Sequence, residues 1–218
     1  AMSVKLIYSS KPKNNQKFTD HFDKFYTGFA GTYDIATKIF PVWRRWINSA
    51  IPHIEGPRVL EISFGTGYLL KQYAANYETY GIDYNEKFVE LLKDKLTAQG
   101  ISADIQQGDV QALPYENDFF DSIVNTMAFS AYPDAIKAMS EIHRVLKPGG
   151  KLILVDIEYP GDRNWLGMKA TKAWIAMGDI IREMPPIFDR FGFKYTDEEI
   201  GGFGSVHLYL AKKEINSK

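Results

Sequence analysis

The stretch "VLEISFGTGYLL" at residues 59–70 joins an apolar run to a turn that contains glycine, and then to a helix-like pattern. Glu61 lies near the end of the apolar run, and Gly65 and Gly67 follow it. Glycines at these positions allow a tight turn and a close approach of the backbone to a ligand. The helix that follows directs its N-terminus toward electron-rich groups. The stretch therefore predicts a strand, a ligand-binding loop and a helix.

Strands and helices alternate along the chain on either side of this turn. We predict strands at residues 58–62, 78–83, 102–107, 120–125, 151–157 and 205–211, and helices at residues 68–75, 86–99, 132–145 and 165–181. This alternation is typical of a parallel sheet that is covered on both faces and joined by right-handed crossovers. The segment "KPGG" at residues 147–150 predicts a helix stop and a turn before the fifth strand.

The two ends of the chain depart from that alternation. After residue 188 no room remains for a crossover helix after the strands, so we expect a hairpin-like finish that adds antiparallel pairing to one edge. Residues 19–51 have a helical, aromatic-rich pattern broken by Gly28, Gly31 and Pro41. Core packing is the commoner role of such a segment, but its position before the first strand also makes it a candidate lid.

These patterns predict an α/β protein with a Rossmann-like, doubly wound and mostly parallel seven-stranded sheet. An antiparallel C-terminal strand and an N-terminal helical lid complete the expected fold. We expect one domain over residues 1–218, with the lid at residues 1–56 and the Rossmann-like core at residues 57–218.

Composition narrows the classes of function. The 218 residues are 45% hydrophobic and 24% charged, with a net charge of -1 and no cysteine. That balance is ordinary for a globular protein and lacks the basic character expected of a nucleic-acid-binding protein. The absence of cysteine excludes disulfides and thiolate metal sites and fits a cytoplasmic protein. We expect no metal site, no nucleic-acid partner and no membrane span, and monomer and homodimer both stay open.

Polar residues follow the predicted strands at the edge where open parallel sheets bind ligands. Asp83 after the second strand suits a ribose diol, although a helix N-cap is its alternative role. Asp109 and Val110 after the third strand can accept from and donate to an adenine ring. Asn125 and Thr126 end the fourth strand, at the floor of the expected crevice. Asp121 is predicted to cap or pack at the start of that strand.

Four segments in this order resemble the class I S-adenosylmethionine-dependent methyltransferases: "VLEISFGTG", "YGIDYN", "GDVQALPYENDFFDSIV" and "EIHRVLKPGGKLILVD". Upstream, "FDKFYTGFAGTYDIATKIFPVWRRWI" is similar to the opening of the ubiquinone/menaquinone-biosynthesis C-methyltransferase family. A dinucleotide-binding dehydrogenase is disfavoured, because Gly67 is followed by "YLL" and the G-x-G-x-x-G spacing is absent.

The resemblance implies S-adenosylmethionine as cofactor, S-adenosylhomocysteine as product and a small-molecule methyl acceptor. It implies that Glu61 and the loop at residues 63–67 hold the methionine part, that Asp83 binds the ribose and that Asn125 lies near the sulfonium. The full set of implied cofactor-binding residues is Tyr33, Glu61, Ser63, Phe64, Gly65, Thr66, Gly67, Asp83, Tyr84, Gly108, Asp109, Val110, Asn125 and Thr126.

Ser63 stands where the family has its first glycine. Its hydroxyl can bond to the cofactor's carboxylate or within the loop, and a positive φ there would be strained. We expect a modified loop that still binds the cofactor. The alternative function is a non-catalytic S-adenosylmethionine-binding protein whose altered loop has cost it turnover.

The acceptor side is less defined by the sequence, and the catalytic residues stay unassigned. Asp156 and Glu158, at the end of the fifth strand, are candidates either for substrate contacts or for helix caps. His207 is a candidate base, whereas His143 is expected to be structural. An aromatic wall against the sulfonium is expected among Tyr26, Tyr33, Trp43 and Phe129, each with plain core packing as the alternative.

Overall fold

Seven strands form one sheet in the computed structural model, which describes residues 12, 14–20, 23 and 41–215. The strands are β1 (Arg58–Ile62), β2 (Glu78–Asp83), β3 (Asp104–Gln107), β4 (Phe120–Thr126), β5 (Leu146–Ile157), β6 (Phe193–Gly201) and β7 (Val206–Lys213). They lie in the order β3-β2-β1-β4-β5-β7-β6. The pairs among β1 to β5 are parallel, whereas β7 runs antiparallel to both β5 and β6. The predicted α/β class, its mostly parallel sheet and its antiparallel C-terminal strand are confirmed.

Six labelled helices accompany the sheet in the described residues. They are α1 (Pro41–Asn48), α2 (Leu70–Tyr73), α3 (Glu86–Ala98), α4 (Ala135–Val145), α5 (Trp165–Met177) and α6 (Pro185–Arg190), and residues 15–20 are also helical. Asn85, Asp134 and Asn164 each cap the helix that follows, because each side chain accepts a hydrogen bond from a first-turn backbone N–H. Within the described ranges, none of the helices has the length and apolar character needed to cross a bilayer.

Several boundaries differ from the predicted ones for local reasons. The helix predicted at residues 165–181 ends at Met177, because Gly178 adopts a left-handed conformation with φ 111°. The helix predicted at residues 132–145 begins only at Ala135, after the cap at Asp134. The helix predicted at residues 68–75 is reduced to α2 and a 3₁₀ turn over Ala74–Asn76.

Three strand regions also differ from, or refine, the predicted ones. β5 begins at Leu146, earlier than predicted, but its pairing with β4 passes from Phe120–Leu146 directly to Ser122–Lys151, so residues 147–150 turn out of the ladder as predicted, with Gly149 at φ 80°. β3 is shorter than predicted and begins at Asp104. The hairpin-like finish is present as β6 and β7, joined by a turn over Gly202–Gly204.

Much of the predicted lid lies outside the described residues. Of residues 19–51, the structure describes 19, 20, 23 and 41–51. Tyr26, Gly28, Gly31 and Tyr33 fall outside this set, so the predictions made for them stay predictions.

The two faces of the sheet carry separate hydrophobic cores. Successive residues of β1 point to opposite faces, so Leu60 and Ile62 enter one core while Val59 enters the other. Helices α4 and α6 contribute to the first core through Met139 and Phe188. Burial on both faces explains why the central strands read as continuous apolar runs.

Candidate functional site

A cavity opens at the carboxyl ends of β1, β2 and β4. β1 and β4 are neighbours in the sheet although β2 and β3 lie between them in sequence, so the strand order reverses at this point. Such a switch point is where open α/β sheets bind ligands. Eleven of the fourteen predicted cofactor-binding residues line the cavity: Glu61, Ser63, Phe64, Gly65, Thr66, Asp83, Tyr84, Gly108, Asp109, Val110 and Thr126.

Three predicted residues are not among those lining residues. Gly67, the last residue of the loop, packs against α3, where an added Cβ would come within 2.3 Å of Leu92 Cδ1. Asn125 is fully buried behind the cavity wall. Tyr33 lies outside the described residues.

The loop after β1 turns through three left-handed residues. Ser63, Gly65 and Gly67 have φ of 56°, 55° and 71°. Glycine adopts a positive φ freely, whereas serine is strained there. Ser63 therefore carries the strain expected from the sequence. The Ser63 N–H donates to the carbonyl oxygen of Ile82 at 2.7 Å, which ties the loop to the end of β2.

Asp83 joins this loop to the turn after β2. Its Oδ2 accepts from the Gly65 N–H at 2.8 Å, and its Oδ1 accepts from the Asn85 N–H at 2.9 Å. Burial raises the pKa of Asp83 to about 6, although both backbone donors oppose the rise. A carboxylate has about four acceptor positions, so two such bonds leave capacity for ligand hydroxyls.

Glu61 is the most strongly perturbed carboxyl group that lines the cavity. It is 2% exposed, and its Oε2 accepts from the Tyr73 hydroxyl at 2.6 Å. Burial raises the pKa of Glu61 to about 8, although the hydrogen bond from Tyr73 opposes the rise, and the charge of Asp83 acts in the same direction as burial. A ligand ammonium group placed here would supply the positive charge that an ionised Glu61 needs.

Tyr132 is the main cavity residue that sequence reasoning missed. Its hydroxyl lies 2.8 Å from Ser63 Oγ and accepts from Asn125 Nδ2 at 2.7 Å. Asn125 Nδ2 also donates to the carbonyl oxygen of Ile62 at 3.1 Å. The Ser63 hydroxyl therefore contacts Tyr132 rather than another loop residue. The missed signal was "YPD" after the fourth strand, a tyrosine that we assigned to the following helix.

The β3 end forms the far wall of the cavity. The Asp109 carboxylate accepts from the Gln111 N–H at 2.8 Å and caps a 3₁₀ turn over Val110–Ala112. Gln107 Nε2 donates to the carbonyl oxygen of Tyr84 at 3.1 Å, which links the ends of β2 and β3. This wall presents backbone and carboxylate groups beside the apolar Val110 side chain.

Described residues from the N-terminal region also reach the cavity. Thr19, Asp23 and Trp43 are among its lining residues. Asp23 Oδ1 accepts from Asn85 Nδ2 at 2.7 Å. Trp43 was one of the predicted wall aromatics, whereas Phe129 packs in the first core and does not line the cavity.

The predicted acceptor-side groups have structural partners. Asp156 accepts from the N–H and the hydroxyl of Ser130, and burial raises its pKa to about 6. Glu158 accepts from the Tyr209 hydroxyl and the Met184 N–H, and burial raises its pKa to about 7. Neither residue lines the cavity.

The histidines and Asp121 complete the predicted set. His207 is 3% exposed and pairs through Nδ1 with Asp197 Oδ1 at 2.7 Å, and it too lies away from the cavity. His143 packs against the Phe193 ring, and burial lowers its pKa. Asp121 packs near the start of β4, where it accepts from the Arg58 N–H and from Lys147 Nζ.

Known proteins match this chain in sequence and in fold. Residues 60–154 match the family described as "Methyltransferase domain". A ubiquinone/menaquinone biosynthesis C-methyltransferase from Geobacter sulfurreducens is 28% identical over 201 residues, covering 85% of this chain and 76% of that protein. A demethylmenaquinone methyltransferase from Lactobacillus johnsonii is 32% identical, covering 54% of this chain and 51% of that protein.

Solved structures agree on the fold. A putative methyltransferase from Haloferax volcanii, solved with its Trm112 activator, has a TM-score of 0.70 at 18% identity and covers 91% of this chain and 98% of its own. A putative S-adenosylmethionine-dependent methyltransferase from Methanococcus maripaludis has a TM-score of 0.66 at 20% identity, covering 89% and 94%.

Together with the sheet order, these matches identify a class I S-adenosylmethionine-dependent methyltransferase, and S-adenosylmethionine is its cofactor. Within that class the chain is close to the ubiquinone/menaquinone-biosynthesis C-methyltransferases, as the resemblance predicted.

Proposed function

We propose that the chain transfers the methyl group of S-adenosylmethionine to an apolar small-molecule acceptor. One observation carries the proposal: a single cavity at the β1/β4 switch point brings together the glycine loop and the polar ends of β2 and β3. The methionine, ribose and adenine parts of S-adenosylmethionine differ in chemistry, so their binding needs three different sets of polar groups in one cavity.

The proposed contacts follow the cavity wall. Glu61 and the loop at residues 63–67 would hold the methionine part, and Asp83 would bind the ribose hydroxyls. Asp109 and Val110 would hold the adenine, with Tyr84 and Gly108 beside it. Thr126 would lie at the reacting end and Tyr33 would approach from the N-terminal segment. We propose an indirect role for Asn125, which bonds the cavity residue Tyr132.

The reaction needs little from the protein beyond positioning. A sulfonium methyl is already electrophilic, so the protein must hold an acceptor atom in line at about 3 Å and exclude water. Part of the remaining wall is suited to this task, because Trp43, Ile47, Met127, Ala128 and Ala131 line it beside the polar Thr19 and Asp23. An apolar wall desolvates the acceptor, and an aromatic ring stabilises the sulfonium charge.

Calorimetric titration tests the cofactor half of the proposal. S-adenosylhomocysteine should bind and NAD should not. Asp83→Ala should weaken S-adenosylhomocysteine binding by about 1–3 kcal/mol, the usual cost of losing hydrogen bonds to a charged group. Asp94→Ala, on the exposed face of α3, serves as the matched control and should bind like the unchanged protein. Equal affinity of the two variants would remove Asp83 from the ribose role.

A methyl-transfer assay tests the acceptor half. Labelled S-adenosylmethionine is incubated with the protein and a metabolite extract, and the labelled product is identified. The names of the relatives make a ring of the demethylmenaquinone type the first pure compound to test. Binding without any labelled product would instead support the non-catalytic alternative. A cytoplasmic location is part of the proposal and is tested by cell fractionation.

A further inference from the structure

Exposed apolar side chains are concentrated on one helix of this protein. In the described part of the chain, eight large hydrophobic residues are exposed: Val42, Tyr84, Trp165, Leu166, Ile175, Met177, Phe203 and Ile215. Four of them belong to α5. Phe203 lies beside the first turn of α5, because its carbonyl oxygen accepts from Asn164 Nδ2 at 2.9 Å. Scattered exposed apolar residues need no explanation, but a contiguous patch marks an interaction surface.

Helix α5 contacts the rest of the protein through a narrow stripe. Gly167 and Thr171 are its buried residues, and Thr171 Oγ1 donates to the carbonyl oxygen of Glu158 at 3.1 Å. At 100° per residue, Trp165, Lys169 and Lys172 fall together on the side away from this stripe, and all three are exposed. The outward side of α5 therefore combines the Trp165 ring with two positive charges, whereas the other exposed apolar residues of the helix lie on its flanks.

The charge of α5 has one sign. No aspartate or glutamate occurs in residues 165–177. Of the acids that follow the helix, Asp179 accepts from the Ser130 hydroxyl and Glu183 pairs with Arg163 at 2.9 Å. Lys169 Nζ lies 4.7 Å from the centre of the Trp165 ring, so the basic and aromatic groups are interleaved. This combination complements a surface that is apolar beneath and negatively charged outside.

Phe203 adds an independent observation. It occupies the left-handed region at φ 58° and ψ 40°, between Gly202 and Gly204, and is 65% exposed. This conformation is unfavourable for a bulky residue, and an exposed ring returns little packing to the fold. The residue therefore costs stability without an internal benefit, which points to an external contact.

We propose that α5 and Phe203 bind the surface of an anionic lipid bilayer. Trp165, Leu166 and Phe203 would enter the interface, while Lys169 and Lys172 would remain at the headgroups. Trp174 on the same helix contacts the Trp43 ring at 5.8 Å between centroids, and Trp43 lines the cavity. Because Trp174 lies opposite Trp165 at 100° per residue, α5 itself would stand between the bound bilayer and the cavity wall. Only this last consequence rests on the proposed function.

Vesicle co-sedimentation of the full chain tests the proposal. The protein should bind vesicles of phosphatidylcholine mixed with phosphatidylglycerol, and bind vesicles of phosphatidylcholine much more weakly. High salt should reduce the binding. Lys169→Gln and Lys172→Gln should each weaken it by about fivefold. Ile215→Ser is the matched control, because Ile215 is 69% exposed but lies beside Gly149 at the opposite end of β5. It should leave binding unchanged.

A second variant separates lipid binding from folding. Phe203→Asn places a residue that tolerates the left-handed region, so its melting temperature should not fall while its vesicle binding does. Failure of the unchanged protein to bind the mixed vesicles would overturn the proposal, as would equal binding by Phe203→Asn. A dimer in analytical ultracentrifugation that Trp165→Ser abolishes would assign the patch to a second copy instead. Since vesicle binding requires no methyl transfer, these outcomes do not depend on the proposed function.

Discussion

Tyr132→Phe is the sharpest test of how the loop is supported. The change keeps the ring and its edge contact with Phe129 at 5.4 Å, and removes only the hydroxyl. Asn125 Nδ2 then keeps its bond to Ile62 but loses its second acceptor in a fully buried position. A buried donor left without a partner costs about 1–3 kcal/mol. The melting temperature should fall by roughly 2–4 °C for each kcal/mol in a chain of this length.

Ser63 provides the second half of the experiment. Ser63→Gly loses the contact with Tyr132, worth about 0.5–1.5 kcal/mol, but removes a left-handed strain of about 1–2 kcal/mol. These two effects nearly cancel, so Ser63→Gly made in the otherwise unchanged protein should alter the free energy of unfolding little. In the Tyr132→Phe background the hydrogen bond is already gone, so only the relief of strain remains. Ser63→Gly should then stabilise the protein by about 1 kcal/mol.

Urea unfolding of the four proteins without cofactor measures this coupling. Ser63→Ala is the control, because it removes the hydroxyl and keeps the strain, so it should destabilise the unchanged protein. The reasoning would be refuted if Ser63→Gly had the same effect in both backgrounds to within about 0.5 kcal/mol, the usual limit of additivity. It would also be refuted if Tyr132→Phe unfolded like the unchanged protein.

Two further predictions concern the same loop. Burial raises the pKa of Glu61 from its ordinary 4.5 to about 8, so the folded chain binds this proton more tightly and its stability falls as pH rises through that window. Glu61→Gln has no ionisable group at this position, so its free energy of unfolding in urea, relative to that of the unchanged protein, should be higher near pH 8 than near pH 5. A difference between the two proteins that does not change with pH would contradict the burial argument. Gly67→Ala should destabilise the chain by about 2–5 kcal/mol, because a left-handed alanine costs about 1–2 and crowding against Leu92 about 1–3. Gly65→Ala has nothing within 4 Å of the added Cβ, so it should lose only the stability that a left-handed alanine costs. Equal losses of stability by the two variants in thermal unfolding would show that the Leu92 contact is unimportant.

Local chemistry accounts for most of what the sequence predicted. The bounds of β1 and β2 match the predicted ones, because a buried parallel strand is an apolar run ended by a polar residue or a turn. The glycine loop and Asp83 were placed correctly beside the cavity for a related reason: strand ends of a parallel sheet share one edge.

The misses have a common cause in contacts between distant segments. Tyr132 reaches Ser63 across 69 positions of sequence, and no periodicity shows such a meeting. Asp156 and Glu158 follow the same strand-end rule as Asp83, yet their partners come from Ser130 and Tyr209 on other elements. These partners satisfy and bury the two acids, so their strand-end position does not bring them to the cavity.

The sequence by itself determined the alternation of strands and helices, the class of sheet and the position of the glycine loop after β1. These features depend on residues that are close in sequence, where propensity, capping and glycine conformations act. The tertiary structure decided which polar groups face the cavity, the buried carboxyl groups whose pKa values are raised, and the apolar surface of α5. Each of these depends on burial, and burial is a property of segments that meet only when the chain has folded.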